Sequence, residues 1–234
     1  MADGKLPPSV RAEALRLLGV SGEPQAELSA EMENCYAELL RHSSPRTIYK
    51  IFDIRADNDA VEITPELRLH GAALAELCRE SRRAALLAAT LGAGVDRLIT
   101  RTQAESISRA IILDACASAE IERLCDETEP AIMAEASHTA PAAVKGEIWL
   151  TMRFSPGYSG VEAAESAKII MALDAGRAIG LSLTHSGMLV PIKSVTAIIG
   201  IADRPQKRYR SCAACAAAGA CPYRKRGAYC GDRA

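Results

Sequence analysis

Two short segments of this 234-residue chain combine side chains that can grip a small charged ligand. The first is Arg153-Phe154-Ser155-Pro156-Gly157-Tyr158-Ser159-Gly160. Pro-Gly marks a turn, and Gly157 and Gly160 let a ligand approach backbone N–H and C=O groups closely. Arg153 supplies a planar fork matched to a carboxylate, and Tyr158 a flat ring with a hydroxyl. Such a toolkit suits an amino-acid-bearing or nucleoside-bearing ligand. The second segment is Thr184-His185-Ser186-Gly187, followed by Pro191 and then Lys193-Ser194-Val195-Thr196-Ala197. By itself it predicts only a bent hairpin. A lone histidine in this setting is more often a hydrogen-bonded structural group than a catalyst, and Lys193 beside a proline turn is expected to be solvated.

A third grouping is metallic in character. Cys212, Cys215, Cys221 and Cys230 form C-x2-C-x5-C-x8-C within 19 residues. Four thiolates can hold structural zinc or an iron–sulfur cluster, and these alternatives, with that of no metal, stay open. The spacing differs from the C-x3-C-x2-C of radical enzymes. The other four cysteines, Cys35, Cys78, Cys116 and Cys125, are scattered over apolar helix faces and read as small core hydrophobes.

These segments must be carried by ordinary elements. Helices are predicted from Val10 to Leu18, from Pro24 to Arg41, from Gly71 through Cys78, over Thr102–Thr128 and over Ala163–Leu173. Strands are predicted at Arg46–Ile54, around Val61 and Ile63, at Arg83–Leu91, Glu147–Phe154, Ala178–Leu183 and Ser194–Ile201. The continuous apolar run Arg83–Leu91 reads as a strand buried on both faces. Without a clean strand–helix–strand rhythm, the fold class is mixed α+β. A main domain is placed at 1–202, its residues 1–45 a helical N-terminal extension, and a Cys-rich tail at 203–234.

The two ligand-gripping segments in tandem resemble the reactivation domain of cobalamin-dependent methionine synthase, and more closely its free-standing relatives, over about Arg46 to Ala202. The resemblance implies a C-shaped α+β domain with a central twisted antiparallel sheet flanked by helices, binding S-adenosylmethionine. It places Arg153 on the methionine carboxylate of the ligand, Tyr158 beside the ligand near the corrinoid face as the catalytic candidate, and Gly160 as a main-chain contact. Pro156, Gly157, Thr184 and Ser186 complete the implied cofactor-binding set. An acidic residue from the N-terminal half is also implied, and Asp53, at the end of the first strand, is the candidate. His185 stands where the fused enzymes carry an acid, and Ser159 where they carry proline.

The function implied is reductive remethylation of a separate corrinoid-binding methionine synthase core, with cobalamin carried by that partner. A flavodoxin- or ferredoxin-type protein would donate the electron. Such chemistry is positioning and electrostatics, so no catalytic dyad is required. The alternative is a metal-binding scaffold or regulatory module that kept the fold without methyl transfer.

Charge and composition narrow the field. Net charge is -1, hydrophobic residues make up 49% and charged residues 24%, which excludes a disordered chain. Asp203–Ala234 carries +6, so the overall -1 leaves -7 on residues 1–202. An acidic body with only 4% aromatic residues argues against a nucleic-acid binder. No apolar run approaches the roughly 20 residues of a membrane span. The first eight residues lack a signal-peptide core, so a cytoplasmic location is expected.

Overall fold

A computed structural model describes residues 5–20, 22–139, 147–205 and 219. At its centre runs β5 (Ser81–Thr90), whose Arg83–Thr90 stretch is Ala- and Leu-rich and almost wholly buried. It pairs antiparallel with β1 (Arg46–Asp53) on one side and β9 (Ser194–Ala202) on the other, and β6 (Trp149–Leu150) extends β9, giving the order β1-β5-β9-β6. The registers are Ile48↔Ala88 and Leu86↔Ile198. Because successive strand residues point to opposite faces, β5 serves two cores. Ala85, Leu87 and Ala89 face one, while Ala84, Leu86 and Ala88 face the other.

The first core lies under α1 (Pro8–Leu17), α2 (Ala26–His42), α4 (Ala93–Glu105) and α5 (Ile107–His138). Met32, Cys35, Tyr36 and Leu39 are the buried stripe of α2, the i, i+3, i+4, i+7 pattern of an amphipathic helix. The second core lies under a small sheet of β2 (Arg55–Ala56), β3 (Ala60–Thr64) and β4 (Leu67–His70), together with α3 (Ala72–Cys78), α6 (Ser166–Leu173) and α7 (Ala175–Ile179). A two-stranded hairpin, β7 (Ser182–Leu183) and β8 (Leu189–Val190), leads into β9. The mixed α+β class and the central antiparallel sheet between helices agree with expectation.

Four local expectations are corrected. The helix expected over Thr102–Thr128 is two helices, broken at Ser106, whose backbone is extended and whose hydroxyl accepts the Arg109 N–H. The second of them runs through Pro130 to His138. Its far end is held by tertiary partners: the Tyr49 hydroxyl donates to Glu135 at 2.9 Å and Arg83 to the Ala136 carbonyl at 2.9 Å. These contacts offset the proline's missing backbone donor. Within the strand expected at Glu147–Phe154, only Trp149–Leu150 pairs regularly, because the Thr151 hydroxyl takes the Gly200 N–H where a carbonyl would continue the ladder. Ala178–Leu183 begins as helix: Ala175 and Ile179 are buried one turn apart, and Gly180 at φ +71° ends it.

Among the described residues no helix is long and apolar enough to cross a membrane. Cys35, Cys78, Cys116 and Cys125 are all buried and free. Cys212, Cys215, Cys221 and Cys230 lie outside the described residues.

Candidate functional site

The Arg153–Gly160 segment travels along the free edge of β9 before turning away. The Thr151 N–H donates to the Gly200 carbonyl at 2.9 Å, and Phe154 and Ile198 exchange backbone bonds of 3.0 and 2.9 Å. Adjacent residues on such a segment face opposite ways. Arg153 reaches the α5 layer, while Phe154 packs into the second core. The turn that follows is closed by Gly157 N–H to the Val161 carbonyl (2.9 Å) and Val161 N–H to the Tyr158 carbonyl (3.0 Å). Gly157, Ser159 and Gly160 all have positive φ, at +97°, +51° and +79°. For the serine this is a conformation that L residues seldom adopt. The turn pushes Tyr158 outward, with 70% of its surface exposed.

Arg153 is enclosed. Its side chain is 9% exposed, with Nη2 donating to Glu122 at 2.5 Å and Nη1 to Glu129 at 2.8 Å and Asp126 at 3.1 Å. These carboxylates sit at i, i+4 and i+7 of α5, one helix face. That spacing is visible in the sequence, and it was the available signal for a site that sequence reasoning missed. One guanidinium thus faces three carboxylates. Cys125, beside this cluster, has its thiol pushed up to about 12 by burial, which outweighs the opposing pull of Arg153. It is therefore a protonated core group at neutral pH.

Around the sheet edge, Gly160 lines a cavity of about 450 Å³ together with Asp59, His70, Gly71, Ala72, Glu162 and Glu165. The Gly71 N–H donates to the Asp59 carbonyl at 2.6 Å, and the His70 N–H to Glu165 at 2.9 Å. Gly71, at φ +149°, lets the chain pass against Val161, since a Cβ there would lie 2.3 Å from Val161 Cγ2. In front of Gly160 a Cβ would meet nothing within 4 Å, so bare backbone faces open space. The N-terminal acid that shares this cavity is Asp59, in the turn between β2 and β3. Asp53 is exposed at the end of β1 and does not line it. No motif distinguishes the two in the sequence, and the Asp57-Asn58-Asp59 turn was the one hint.

The two segments approach a common neighbour, Ala163. Cβ atoms built on Gly157 and on Gly187 would each lie 3.7 Å from Ala163 Cβ. Thr184 and Ser186 close the β7–β8 hairpin: their hydroxyls share a 2.9 Å bond, and Thr184 Oγ1 accepts the Met188 N–H at 3.0 Å. His185 is exposed beside them. Neither Arg153, Pro156, Gly157 and Tyr158 nor Thr184 and Ser186 line the cavity that Gly160 does. Lys193 corrects the expectation of a solvated side chain. It is 12% exposed, with Nζ 2.8 Å from Asp114 and donating to Ser118 at 2.9 Å, which ties the start of β9 to α5. Among the described residues no group of His, Cys, Asp and Glu is arranged to hold a metal ion.

Comparison with known proteins is consistent with this architecture. The fold matches a crystal structure of the MetH reactivation domain bound to AdoHcy, with a TM-score of 0.58 at 16% sequence identity, covering 86% of this chain and 77% of that one. Among curated proteins none matches. The family model described as the activation domain of vitamin B12 dependent methionine synthase matches residues 80–228, which include both motif segments and the tail cysteines Cys212, Cys215 and Cys221 but not Cys230. More than half of the sequence lies within that match, and the chain belongs to the vitamin B12 dependent methionine synthase activation domain family.

Proposed function

We propose that this protein binds S-adenosylmethionine and supports reductive remethylation of a separate corrinoid-binding methionine synthase core or related corrinoid protein. The observation that carries the reading is the Arg153–Tyr158 motif in its turn at the sheet edge, inside a chain of the activation-domain family. The amino-acid end of the ligand is a zwitterion, and the Arg153 cluster is chemically its mirror. A ligand carboxylate can take one guanidinium nitrogen from Asp126, Glu129 or Glu122, and the released acid can then receive the ammonium group. Tyr158, exposed at the tip of the turn, offers a flat ring to a large planar partner. Gly157 and Gly160 offer backbone, and the Thr184–Ser186 hairpin walls the turn. In this reading a donor protein supplies one electron and the sulfonium supplies a methyl group to the corrinoid held by the partner. This chain's own work is to bind, aim and exclude water. Cys212, Cys215, Cys221 and Cys230 are proposed as ligands of zinc or of an iron–sulfur cluster. Iron, zinc and labile-sulfide analysis separates the two, and a metal-free protein removes the proposal.

Calorimetry tests the binding. Arg153→Ala is expected to weaken S-adenosylmethionine by about 2–4 kcal/mol through loss of a charge-assisted contact. Arg153→Lys, which keeps the charge within the carboxylate cluster, should retain the fold and still bind more weakly, because a point charge replaces the fork. Unchanged affinity in a folded Arg153→Lys protein removes Arg153 from the site. Remethylation of a Co(II) corrinoid partner distinguishes the activity from a module that binds without methyl transfer.

A further inference from the structure

The hairpin that carries Thr184 and Ser186 is fixed at its root. The Ile192 N–H donates to Asp96 Oδ2 of α4 at 2.8 Å. The next residue, Lys193, is held at both ends. Its carbonyl accepts the Leu91 N–H at 2.9 Å, while its Nζ lies 2.8 Å from Asp114 and donates to Ser118 at 2.9 Å. Asp114 and Ser118 open a polar stripe on α5 that continues, in steps of four and then three residues, through Glu122, Asp126 and Glu129. The second half of that stripe encloses Arg153. Ser118 and Glu122 are one turn apart, about 6 Å along the helix axis. One helix therefore anchors both segments, the hairpin through Lys193 and the Arg153 turn through its guanidinium.

Resting on the reading above, we infer that Lys193 is a positioning residue of the ligand site. Through α5 it sets the distance between the Thr184–Ser186 hairpin and Arg153, so that both can meet one bound molecule. Its ammonium group is engaged on α5 and acts on the ligand only through the hairpin. An ion pair with one mostly buried member adds little net stability over an apolar side chain of similar size, because withdrawing the ammonium from water offsets the attraction of Asp114. What the pair fixes is place. A methionine would fill much the same space but could slide along α5, whereas two acceptors one helical turn apart give the ammonium a single seat. A shift on the order of 1 Å in a binding wall is enough to weaken a ligand about tenfold.

The test is calorimetric titration of the full-length protein with S-adenosylmethionine. The proteins compared are wild type, Lys193→Met, Lys193→Arg, Thr184→Ala and the double variant Lys193→Met/Thr184→Ala, with circular dichroism verifying the fold of each. Lys193→Met is expected to bind about tenfold more weakly. Lys193→Arg, which can still donate to Asp114, should stay within about threefold of wild type. Thr184→Ala loosens the hairpin tip and should also weaken binding. The double variant should then be little worse than the poorer single one, because both changes act through the same wall. A purely structural lysine would lower the unfolding midpoint and leave that cycle additive, which overturns the inference. Wild-type affinity in folded Lys193→Met, or in Thr184→Ala, also overturns it while leaving the proposed function intact. Should Lys193→Met not fold, Asp114→Asn alters the half-exposed partner instead. A loss of about threefold is expected there, and unchanged binding overturns the inference. Failure of wild type to bind overturns the proposed function, and the inference with it.

Discussion

The two sides of the central sheet treat charge in opposite ways. On the α5 side, a set of charged groups is buried or half-buried and partnered. Glu120 is 2% exposed, yet it accepts the Tyr36 hydroxyl at 2.9 Å and takes Arg123 on both oxygens at 2.7 and 2.8 Å. Arg153 has its three carboxylates, and Arg109 joins Glu31 and Glu38 of α2. On the side of the small sheet, the core is almost wholly apolar, and although Glu165 is paired with Lys168, Asp59 and Glu162 stand exposed at the cavity rim. The same residue type therefore does two jobs. Buried carboxylates fix the register of α2 and α5 over β5, whereas exposed ones are free to shape the field that a ligand meets. A buried charge with all its partners is costly to disturb, and an exposed one is cheap to change.

The largest break in this contrast should come at Glu120. Glu120→Ala leaves the Tyr36 hydroxyl and part of Arg123 without their acceptor, and should destabilise the protein by about 3 kcal/mol. Chemical denaturation reads this as a lowered midpoint. Pairing Glu120→Leu with Tyr36→Phe should recover part of the loss, because the Tyr36 hydroxyl is then no longer an orphan and Arg123 keeps Glu127. A double variant no better than the single one would mean that the network does more than satisfy itself.

The opposite side should break through backbone, not charge. Gly71→Ala places a methyl 2.3 Å from Val161 Cγ2 at a φ of +149°, and is expected to cost about 2 kcal/mol. Val161→Ala in the same chain removes the 2.3 Å contact and leaves a Cβ at 3.2 Å, and should return part of the loss. Additive losses in that cycle would show that the two residues do not meet as described.

The smallest effect is a pH dependence. Hydrogen bonding from Arg109 holds the Glu38 carboxyl below the ordinary carboxylate range, against the opposing effect of burial. A depressed acid adds stability that is complete above its unfolded value and is lost as pH falls through the folded one. The gain therefore belongs to neutral pH and disappears in acid, below about pH 4. Glu38→Gln should lower stability at pH 7 by up to about 1 kcal/mol and make little difference in strong acid. Thermal melts across that range measure it.

How far the sequence could be read follows the same division. Apolar patterning marked α2, β1, β5 and β9 with ends close to those observed, because each is set locally: α2 by a helical stripe, β5 by a continuous apolar run. The break at Ser106 was hidden. Ile107 and Ile111 look like the start of the α5 stripe but are exposed, and the buried face runs instead through Leu113, Cys116, Ile121 and Cys125. Pro130 looks like a stop, and the bonds from Tyr49 and Arg83 that carry the helix past it come from the β1 and β5 strands. At the site, the turn of Arg153–Gly160 was legible because Pro156 and Gly157 punctuate it. The partners of Arg153 were not, since α5 meets the sheet edge only in three dimensions. Asp59 enters the cavity for a similar reason: the small sheet folds back so that the turn after β2 meets Gly160.

One consequence concerns where the molecule can be cut. Leu6, Val10 and Ala14, together with the buried stripe of α2, belong to the same core as Leu87 and Leu113, although all lie before the segment the family shares. A fragment trimmed to that segment would strip β5 of its neighbour β1 and leave the roof of α5 bare. Such a truncation should aggregate, and the helices that look like a preface are better understood as half of the lid on the hydrophobic interior.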